Sequence, residues 1–277
     1  MKTFSNSARP EPLRRIPCAV CGGSSFEPLW SLEGFAFRSC SACGLIQQNP
    51  QPESSSVIGR YSGEYLEYEL ANEAAFSDLE LKALADVGFR IDEFRGMDFL
   101  DLGCATGALL ARLAAGGAKA RGVEPCFETS AYAREKRGLD VFTGTLEEAR
   151  LPDASLDAIH ASHVIEHMND PGGFLGEARR LLRDTGVLIL TTPNADGFQA
   201  GVFGPAWRSV INDHLYLFSY KTLKRLLESR GFRVTAHKTW GGWARGAKPA
   251  FLKAPLDRLA KALGLGDVMV LKAEKAR

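Results

Sequence analysis

The sequence predicts an α/β fold: a seven-stranded, mostly parallel sheet covered by helices and preceded by a small cysteine-bearing module. Residues 96–277 alternate strand-like and helix-like patterns, which is typical of a mostly parallel sheet with helices on both faces. A glycine-rich turn follows the first strand of this region, and two closely spaced cysteine pairs precede it. These three observations together predict two structural parts.

Size and composition limit the classes of protein that need considering. The chain has 277 residues, 45% of them hydrophobic and 24% charged, which is ordinary for a globular protein of one or two domains. A net charge of +1 gives no general attraction to nucleic acid, so nucleic-acid binding is not favoured. No apolar run approaches the roughly 18 residues that a membrane span requires. We therefore expect a cytoplasmic protein, and its oligomeric state does not follow from the sequence.

Four regions follow one another along the chain. Residues 1–15 are polar and contain proline, so we expect a disordered lead-in. Residues 16–50 carry the paired cysteines, and residues 51–95 have a helical pattern that we interpret as a linker. Residues 96–277 then form the larger domain.

The alternation of apolar segments and turn residues predicts the elements of that domain. The predicted strands are Met97–Leu102, Ala120–Glu124, Asp140–Thr143, Leu156–Ala161, Val187–Thr192, Phe232–Thr239 and Val268–Glu274. The predicted helices are Gly107–Ala115, Thr129–Arg137, Pro171–Leu182 and Tyr220–Ser229, with a turn at residues 184–186. The last two strands resemble a hairpin, so the sheet is expected to have seven strands.

The first strand of this domain ends in the turn Gly103-Cys104-Ala105-Thr106-Gly107, which leads into a helix. Its glycines permit a tight turn and the close approach of a ligand to the backbone. Open α/β sheets bind ligands at the carboxyl ends of their strands, where this turn lies. The spacing differs from that of the dinucleotide and P-loop motifs. The turn alone therefore predicts only a nucleotide-like ligand.

The second strand ends at Glu124, about 20 residues after the glycines. A carboxylate at this position can accept hydrogen bonds from both ribose hydroxyls. The alternative interpretation is that Glu124 is an ordinary surface residue and that the glycine-rich segment is an ordinary turn. The combination of loop and acid favours a ligand that contains ribose.

Five motifs occur in order between about residues 96 and 240: DLGCATG, GVEP, GTLEEARLPDASLDAI, HVIEHMNDP and LLRDTGVLILTTPN. Together they resemble the successive motifs of class I S-adenosylmethionine-dependent methyltransferases. The resemblance implies a Rossmann-like fold, S-adenosylmethionine as cofactor and methyl transfer as the reaction.

The same resemblance implies the cofactor site. By this resemblance Asp101, Gly103 and Gly107 would line the methionine part, and Glu124 would hold the ribose. Thr145 and Leu146 would flank the adenine, and Ser162 and His163 would face the sulfonium. Cys104 and Pro125 are also expected to bind the cofactor. Many members have an aspartate near the position of Leu146 for the adenine amine, whereas this chain offers Glu147.

Cys18, Cys21, Cys40 and Cys43 form two C-x-x-C pairs, and Gly22 and Gly44 follow them. Two such pairs can complete a tetrahedral zinc site. The alternative is four unrelated buried thiols. A structural Zn²⁺ would supply folding energy to a segment too short to build its own core. The phrase CSACGLIQQNPQP resembles the zinc ribbon ahead of many small-molecule and sugar methyltransferases, although ribosomal RNA methyltransferases can also carry an N-terminal zinc module.

His163 and His167 follow the fourth strand, and His214 lies in a later loop. One of these histidines could take a proton from the acceptor during methyl transfer. Alternatively, the three histidines and Glu166 could bind a second metal, as in the Glu-x-x-Glu-His pattern of small-RNA 2′-O-methyltransferases and ubiquinone O-methyltransferases, with His163 in place of the first glutamate. A third interpretation has Glu166 and His167 making only local hydrogen bonds and helix caps.

The acceptor side is less clearly marked. Aromatic residues gather late in the chain and could form an acceptor pocket or lid, or simply fill the core: Phe198, Phe203, Trp207, Tyr216, Phe218, Trp240 and Trp243. Residues 255–264 predict an amphipathic helix that packs on the sheet. We expect a small-molecule acceptor such as a sugar or specialised metabolite. The alternatives are an RNA or protein methyltransferase that docks through the ribbon, and a non-catalytic cofactor-binding module.

Overall fold

The computed structural model describes residues 12–52, 63–241, 258 and 260–276. Its N-terminal part is made of short strands: β1 (Leu13–Arg14), β2 (Phe26–Leu32), β3 (Phe35–Cys40), β4 (Ile46–Gln48) and β5 (Gln51–Pro52). β1 pairs with β5, and β2, β3 and β4 form an antiparallel sheet. Residues 1–11 of the expected lead-in lie outside the described residues.

Helices and strands alternate along the rest of the described chain. They are α1 (Gly63–Asp86), β6 (Asp98–Leu102), α2 (Ala108–Ala115), β7 (Lys119–Glu124), α3 (Phe127–Arg137), β8 (Asp140–Thr143), β9 (Leu156–Ser162), α4 (Pro171–Leu181), β10 (Leu182–Pro193), α5 (Phe198–Phe203), β11 (Tyr216–Leu217), α6 (Tyr220–Ser229), β12 (Phe232–Trp240) and β13 (Val268–Lys275).

Seven of these strands form one sheet in the order β12-β13-β10-β9-β6-β7-β8. The pairs from β10 to β8 are parallel, and β13 runs antiparallel to both of its neighbours. This arrangement confirms the predicted seven-stranded, mostly parallel sheet with a hairpin-like last pair. The predicted turn at residues 184–186 is wrong, because β10 begins directly after α4 and absorbs these residues at an irregularity in its pairing with β9.

Apolar side chains fill both faces of the sheet. One cluster includes Leu100, Ile159 and Leu188, and another on the opposite side includes Phe99, Ala158 and Ile189. Neighbouring residues of one strand thus point to opposite faces, as the pleat requires. Both faces are covered at the centre of the sheet, so the central strands β6, β9 and β10 are mostly buried and are readily detected in the sequence.

The cysteine-bearing module and the larger domain share a sheet. β11 extends the antiparallel sheet of the module by pairing with β4, where Tyr216 faces Gln47 and Leu217 faces Ile46. The module is therefore joined to the larger domain by backbone hydrogen bonds as well as by the chain. Among the helices in the described ranges, none combines the length and apolar character that crossing a membrane requires.

Candidate active site

A cavity of about 700 Å³ opens at the carboxyl ends of β6, β7 and β9. The glycine-rich loop after β6 and the segment Gly144–Glu147 after β8 form one part of its wall, and α1 covers it. His163, His167 and Asn169 line the far part. Its size is within the range of small-molecule and cofactor sites.

Two glycines of the loop have conformations that other residues adopt at a cost. Gly103 has φ +70°, and a Cβ atom there would lie 2.7 Å from Cγ2 of Val164. Gly107 has φ +75°, and its Cβ would lie 2.5 Å from Cδ1 of Leu139. The left-handed backbone and the lack of space explain why glycine is found at both positions. Gly107 also caps the start of α2.

Glu124 connects β7 to this loop. Its Oε2 atom accepts a hydrogen bond from the backbone N–H of Ala105 at 2.9 Å, and Oε1 accepts one from the N–H of Cys126 at 2.8 Å. Burial raises the pKa of Glu124 to about 7, although these backbone hydrogen bonds act in the opposite direction. Each carboxylate oxygen retains a further lone pair, so the group can still accept hydrogen bonds from a ligand.

Asp101 is nearly buried and pairs with a residue that sequence reasoning missed. His160, on the adjacent strand β9, donates a hydrogen bond from Nδ1 to Oδ1 of Asp101 at 2.8 Å. Burial lowers the pKa of His160, but the hydrogen bond and charge of Asp101 outweigh it and the net shift is upward. The parallel register of β6 and β9 places the two residues side by side, 59 positions apart in sequence.

Seven of the nine residues predicted to bind cofactor line this cavity: Gly103, Cys104, Glu124, Pro125, Thr145, Leu146 and Ser162. The other two, Asp101 and Gly107, are buried; Asp101 is hydrogen-bonded to His160, and Gly107 ends the loop at the start of α2. Glu147 also lines the cavity, beside Leu146. The structure therefore gathers at one site residues that come from four different strand ends.

Helix α1, which lies in the predicted linker, contributes acidic residues to the cavity. Glu69, Glu73 and Glu80 line the cavity. Burial raises the pKa of Glu69 to about 7, and burial together with the charge of Asp101 raises that of Glu80 to about 8. Glu73 accepts hydrogen bonds from Thr106 of the loop and from Arg137. Their spacing of four and seven residues is a helical period that could have placed them on one face.

The predicted histidines divide into two groups. His163 and His167 line the cavity, whereas His214 is buried behind His167, with ring centroids 4.7 Å apart. His163 has a left-handed backbone (φ +56°), which is uncommon for a residue other than glycine. Such backbone strain is found most often at functional sites.

Glu166 is buried between these groups. It accepts hydrogen bonds from Nδ1 of His163 at 3.0 Å and from the hydroxyl of Thr192 at 3.0 Å. Burial raises its pKa, but His163, His167 and His214 outweigh this effect and lower the pKa to about 2. Possible ligand atoms of Glu166, His167 and His214 all lie within 4.8 Å of one another, so these three residues could hold a metal ion. His163 is outside that set.

The aromatic residues expected at the acceptor site are mostly elsewhere. Trp240 lines the cavity, whereas Trp207, Tyr216 and Phe218 are buried in the core and Phe198 and Phe203 are exposed. Trp243 and residues 255–257 and 259 of the predicted C-terminal helix lie outside the described residues. Tyr65, Tyr68 and Phe76 of α1, which were not predicted, line the cavity instead.

The four cysteines of the N-terminal module meet in one cluster. The Sγ atoms of Cys18 and Cys43 are 3.4 Å apart, and those of Cys21 and Cys40 are 3.6 Å apart. All six cysteines of the chain are described, and each is a free thiol. Burial alone would raise the pKa of Cys40, but backbone hydrogen bonds from Ala42 and Cys43 lower it to about 7. The cluster therefore offers four sulfur ligands at distances suitable for one metal ion.

The comparison with protein families settles the class of the larger domain. The family described as "Methyltransferase domain" matches residues 68–237, which is more than half of the chain. The chain belongs to this methyltransferase family. The match begins within α1, so it includes most of the helix that covers the cavity.

Two curated relatives of the chain are methyltransferases. The chain is 34% identical over 141 residues to a probable S-adenosylmethionine-dependent methyltransferase of Mycolicibacterium smegmatis. The aligned region covers 50% of this chain and 53% of that protein. The chain is 31% identical over 108 residues to a ubiquinone biosynthesis O-methyltransferase of Rhodopseudomonas palustris, covering 38% and 43%. The chain thus spans about half the length of the curated relatives it matches.

Solved structures agree with this assignment. An S-adenosylmethionine-dependent methyltransferase of Thermotoga maritima, described as a possible histamine N-methyltransferase, superposes with a TM-score of 0.58 and 25% identity. The superposition covers 79% of this chain and 98% of that one. The methyltransferase domain therefore has the Rossmann-like fold of the S-adenosylmethionine-dependent class, as the sequence predicted.

Proposed function

We propose that this methyltransferase transfers the methyl group of S-adenosylmethionine to an oxygen or nitrogen of a small-molecule acceptor. One observation carries the proposal: a single cavity extends from the glycine-rich loop and Glu124 to His163 and His167. Donor and acceptor can therefore lie in one cavity. Alignment of two reactants in such a space can supply most of the rate acceleration that a methyl transfer needs.

The cofactor half of the cavity is assigned to the predicted residues. Glu124 would accept hydrogen bonds from the ribose hydroxyls, and Thr145 and Leu146 would flank the adenine. Gly103 and Cys104 would lie along the methionine part, with Asp101 at the start of the loop and Gly107 at its end. Bound there, S-adenosylmethionine would supply a methyl group activated by its positively charged sulfur. The acidic side chains of α1 suit a ligand that carries a sulfonium and an ammonium group, because a nearby positive charge favours the ionised form of a carboxyl group.

His167 is the proposed general base. Its Nδ1 atom lies 2.8 Å from the backbone oxygen of Asp213. A carbonyl oxygen can only accept, so Nδ1 carries the hydrogen and the neutral ring has its lone pair on Nε2. Since His167 lines the cavity, Nε2 can take the proton that an acceptor hydroxyl loses as its oxygen binds the methyl group. This geometry favours oxygen as the methylated atom.

We also propose that Cys18, Cys21, Cys40 and Cys43 bind one structural Zn²⁺. Zinc–sulfur bonds of about 2.3 Å in a tetrahedron place the sulfur atoms about 3.8 Å apart, close to the separations within this cluster. Backbone N–H groups of Gly22 and Gly44 donate to the oxygens of Cys18 and Cys40, both at 2.8 Å, and close the two turns around the cysteine pairs. The residues present therefore fit the ion.

A labelled-cofactor screen tests the proposed function. The full chain would be incubated with S-adenosylmethionine that carries a radioactive methyl group and with separate pools of sugars, nucleotides, aromatic metabolites, RNA and protein. We expect label in a small molecule, and His167→Asn should abolish that transfer without changing the affinity for S-adenosylhomocysteine. Label in RNA or protein would instead favour a docking role for the cysteine-bearing module. Failure to bind S-adenosylhomocysteine in calorimetry would contradict a catalytic cofactor site altogether.

A further inference from the structure

Two neighbouring glutamines of β4 are equally buried but bind different parts of the molecule. Gln47 and Gln48 have 0% and 1% of their surface exposed. The side chain of Gln47 donates to the backbone oxygen of Pro17 and accepts from the N–H of Ala19, so its bonds stay inside the cysteine-bearing module. The side chain of Gln48 points to the methyltransferase domain instead.

The amide nitrogen of Gln48 donates two hydrogen bonds to that domain. It lies 2.8 Å from the backbone oxygen of Asn212 and 2.7 Å from that of His214. The backbone N–H of Gln48 also donates to the oxygen of Leu215 at 2.8 Å. These partners are more than 160 positions away in sequence. The two side-chain bonds hold the peptide unit before Asp213 and the one after His214, so they flank the unit that carries the Asp213 oxygen.

Asp213 is the residue whose backbone oxygen accepts the hydrogen from Nδ1 of His167. The position of this oxygen determines which nitrogen of His167 carries the hydrogen, because a neutral imidazole donates from one nitrogen and accepts at the other. A continuous series of hydrogen bonds therefore connects the cysteine-bearing module, through Gln48 and the segment at Asp213, to a histidine in the cavity wall.

We propose that Gln48 is a positioning residue for His167, so that the cysteine-bearing module is a working part of the acceptor site. The proposal rests on the proposed function for the role of His167 as base, but the contacts of Gln48 do not depend on that role. It predicts that loss of the Gln48 amide releases the peptide units around Asp213. The ring of His167 then exchanges between its two neutral forms.

The experiment measures the imidazole ¹⁵N resonances of His167 in protein labelled with ¹⁵N-histidine. The chain has five histidines, so a His167→Asn variant assigns the signals. Wild-type protein should show His167 with its hydrogen on Nδ1. Gln48→Met, which keeps the side-chain volume but has no donor, should add a clear signal of the form with hydrogen on Nε2. It should also speed amide hydrogen exchange at residues 212–215 at least tenfold.

Gln47→Met is the matched control, because the change is the same and the burial is the same. It should leave the His167 resonances and the exchange at residues 212–215 as in the wild type. Both variants should retain the metal content of the wild type and its affinity for S-adenosylhomocysteine. Unchanged His167 signals in Gln48→Met, or equal changes in Gln47→Met, would overturn the proposal.

A measurement on the wild type alone keeps the proposal testable should Gln48→Met fold poorly. If His167 carries its hydrogen on Nε2 in the wild-type protein, the proposal is wrong, because the Asp213 oxygen then does not set the form of the ring. The outcome is separate from that of the proposed function. Binding of S-adenosylhomocysteine and transfer of labelled methyl groups test that function without reference to Gln48.

Discussion

The carboxylate of Glu124 lies 2.9 Å from the backbone nitrogen of Ala105 and accepts its hydrogen bond. This contact joins the end of the second parallel strand to the centre of the glycine-rich loop. The acid that we assign to the ribose therefore also holds the loop in shape before any ligand binds. Preorganisation of this kind lowers the ordering cost of binding.

Replacement of this carboxylate should weaken cofactor binding. Glu124→Gln keeps the size of the side chain but loses the charge that strengthens hydrogen bonds from ribose hydroxyls. Hydrogen bonds to charged groups contribute about 1.5–3 kcal/mol, so the affinity for S-adenosylhomocysteine should fall about tenfold to a hundredfold. Isothermal titration calorimetry measures this change. Glu135→Gln, an exposed residue of α3, is the control and should bind like the wild type; equal affinities in all three proteins would contradict the ribose assignment.

Cofactor affinity should also depend on pH near neutrality. Burial raises the pKa of Glu124 to about 7, and ribose hydroxyls donate to its ionised form. As pH falls below 7 the carboxyl group becomes protonated in the free protein, and binding must then remove that proton. Affinity for S-adenosylhomocysteine should therefore fall about tenfold between pH 8 and pH 6. Calorimetric titrations over this range measure how the affinity changes with pH, and Glu124→Gln should weaken that change. If the pH dependence is the same in the variant, a group other than Glu124 causes it.

Two glycine substitutions should have opposite effects on stability. Gly107→Ala places a side chain at φ +75° and 2.5 Å from Leu139, so we expect a loss of about 1–2 kcal/mol or more in the free energy of unfolding. Gly176→Ala lies in α4, where a Cβ meets nothing within 4 Å. It should stabilise the protein by about 0.5–1 kcal/mol because alanine favours the helix. Urea unfolding followed by circular dichroism compares the two variants. An unchanged free energy of unfolding in Gly107→Ala would contradict the prediction and show that the loop adjusts to the added methyl group.

The strands of the methyltransferase domain were predictable because both sheet faces are buried. The central strands β6, β9 and β10 contain buried apolar runs, and the predicted strand ends lie within one residue of the observed ones except at the start of β10. The cofactor loop was predictable for a related reason, since its glycines, its strand and its helix are neighbours in sequence. The boundaries of the predicted domains, in contrast, stay a prediction, and α1 belongs to the cavity as well as to the predicted linker.

Partners far apart in sequence were not predictable in the same way. The pairing of Asp101 with His160 depends on the register of two parallel strands. The position of His214 behind His167 depends on the path of the segment before β11, 47 residues further along the chain. Gln48 contacts the same loop across more than 160 residues. Spacing within a motif carries no information about such contacts, because tertiary packing determines them.

The proposed zinc site makes a last prediction about the cysteines. Cys21→Ser should remove stoichiometric zinc from the purified protein, since serine is a poor ligand for this ion and three sulfurs leave the tetrahedron incomplete. Because zinc binding supplies folding energy, the module should lose structure, and the midpoint of thermal unfolding should fall by several degrees. Elemental analysis and calorimetry measure the two effects.

Cys126→Ser is the control for these cysteine measurements, since Cys126 lies beside Glu124 in the methyltransferase domain and outside the cluster. It should keep one zinc per chain. Stoichiometric zinc in Cys21→Ser would mean that the metal is held elsewhere. Because β4 of the module pairs with β11 next to the acceptor site, loss of zinc should also speed hydrogen exchange at residues 212–217. The Cys126→Ser protein should leave that exchange unchanged, which separates the effect of the metal from that of a buried thiol.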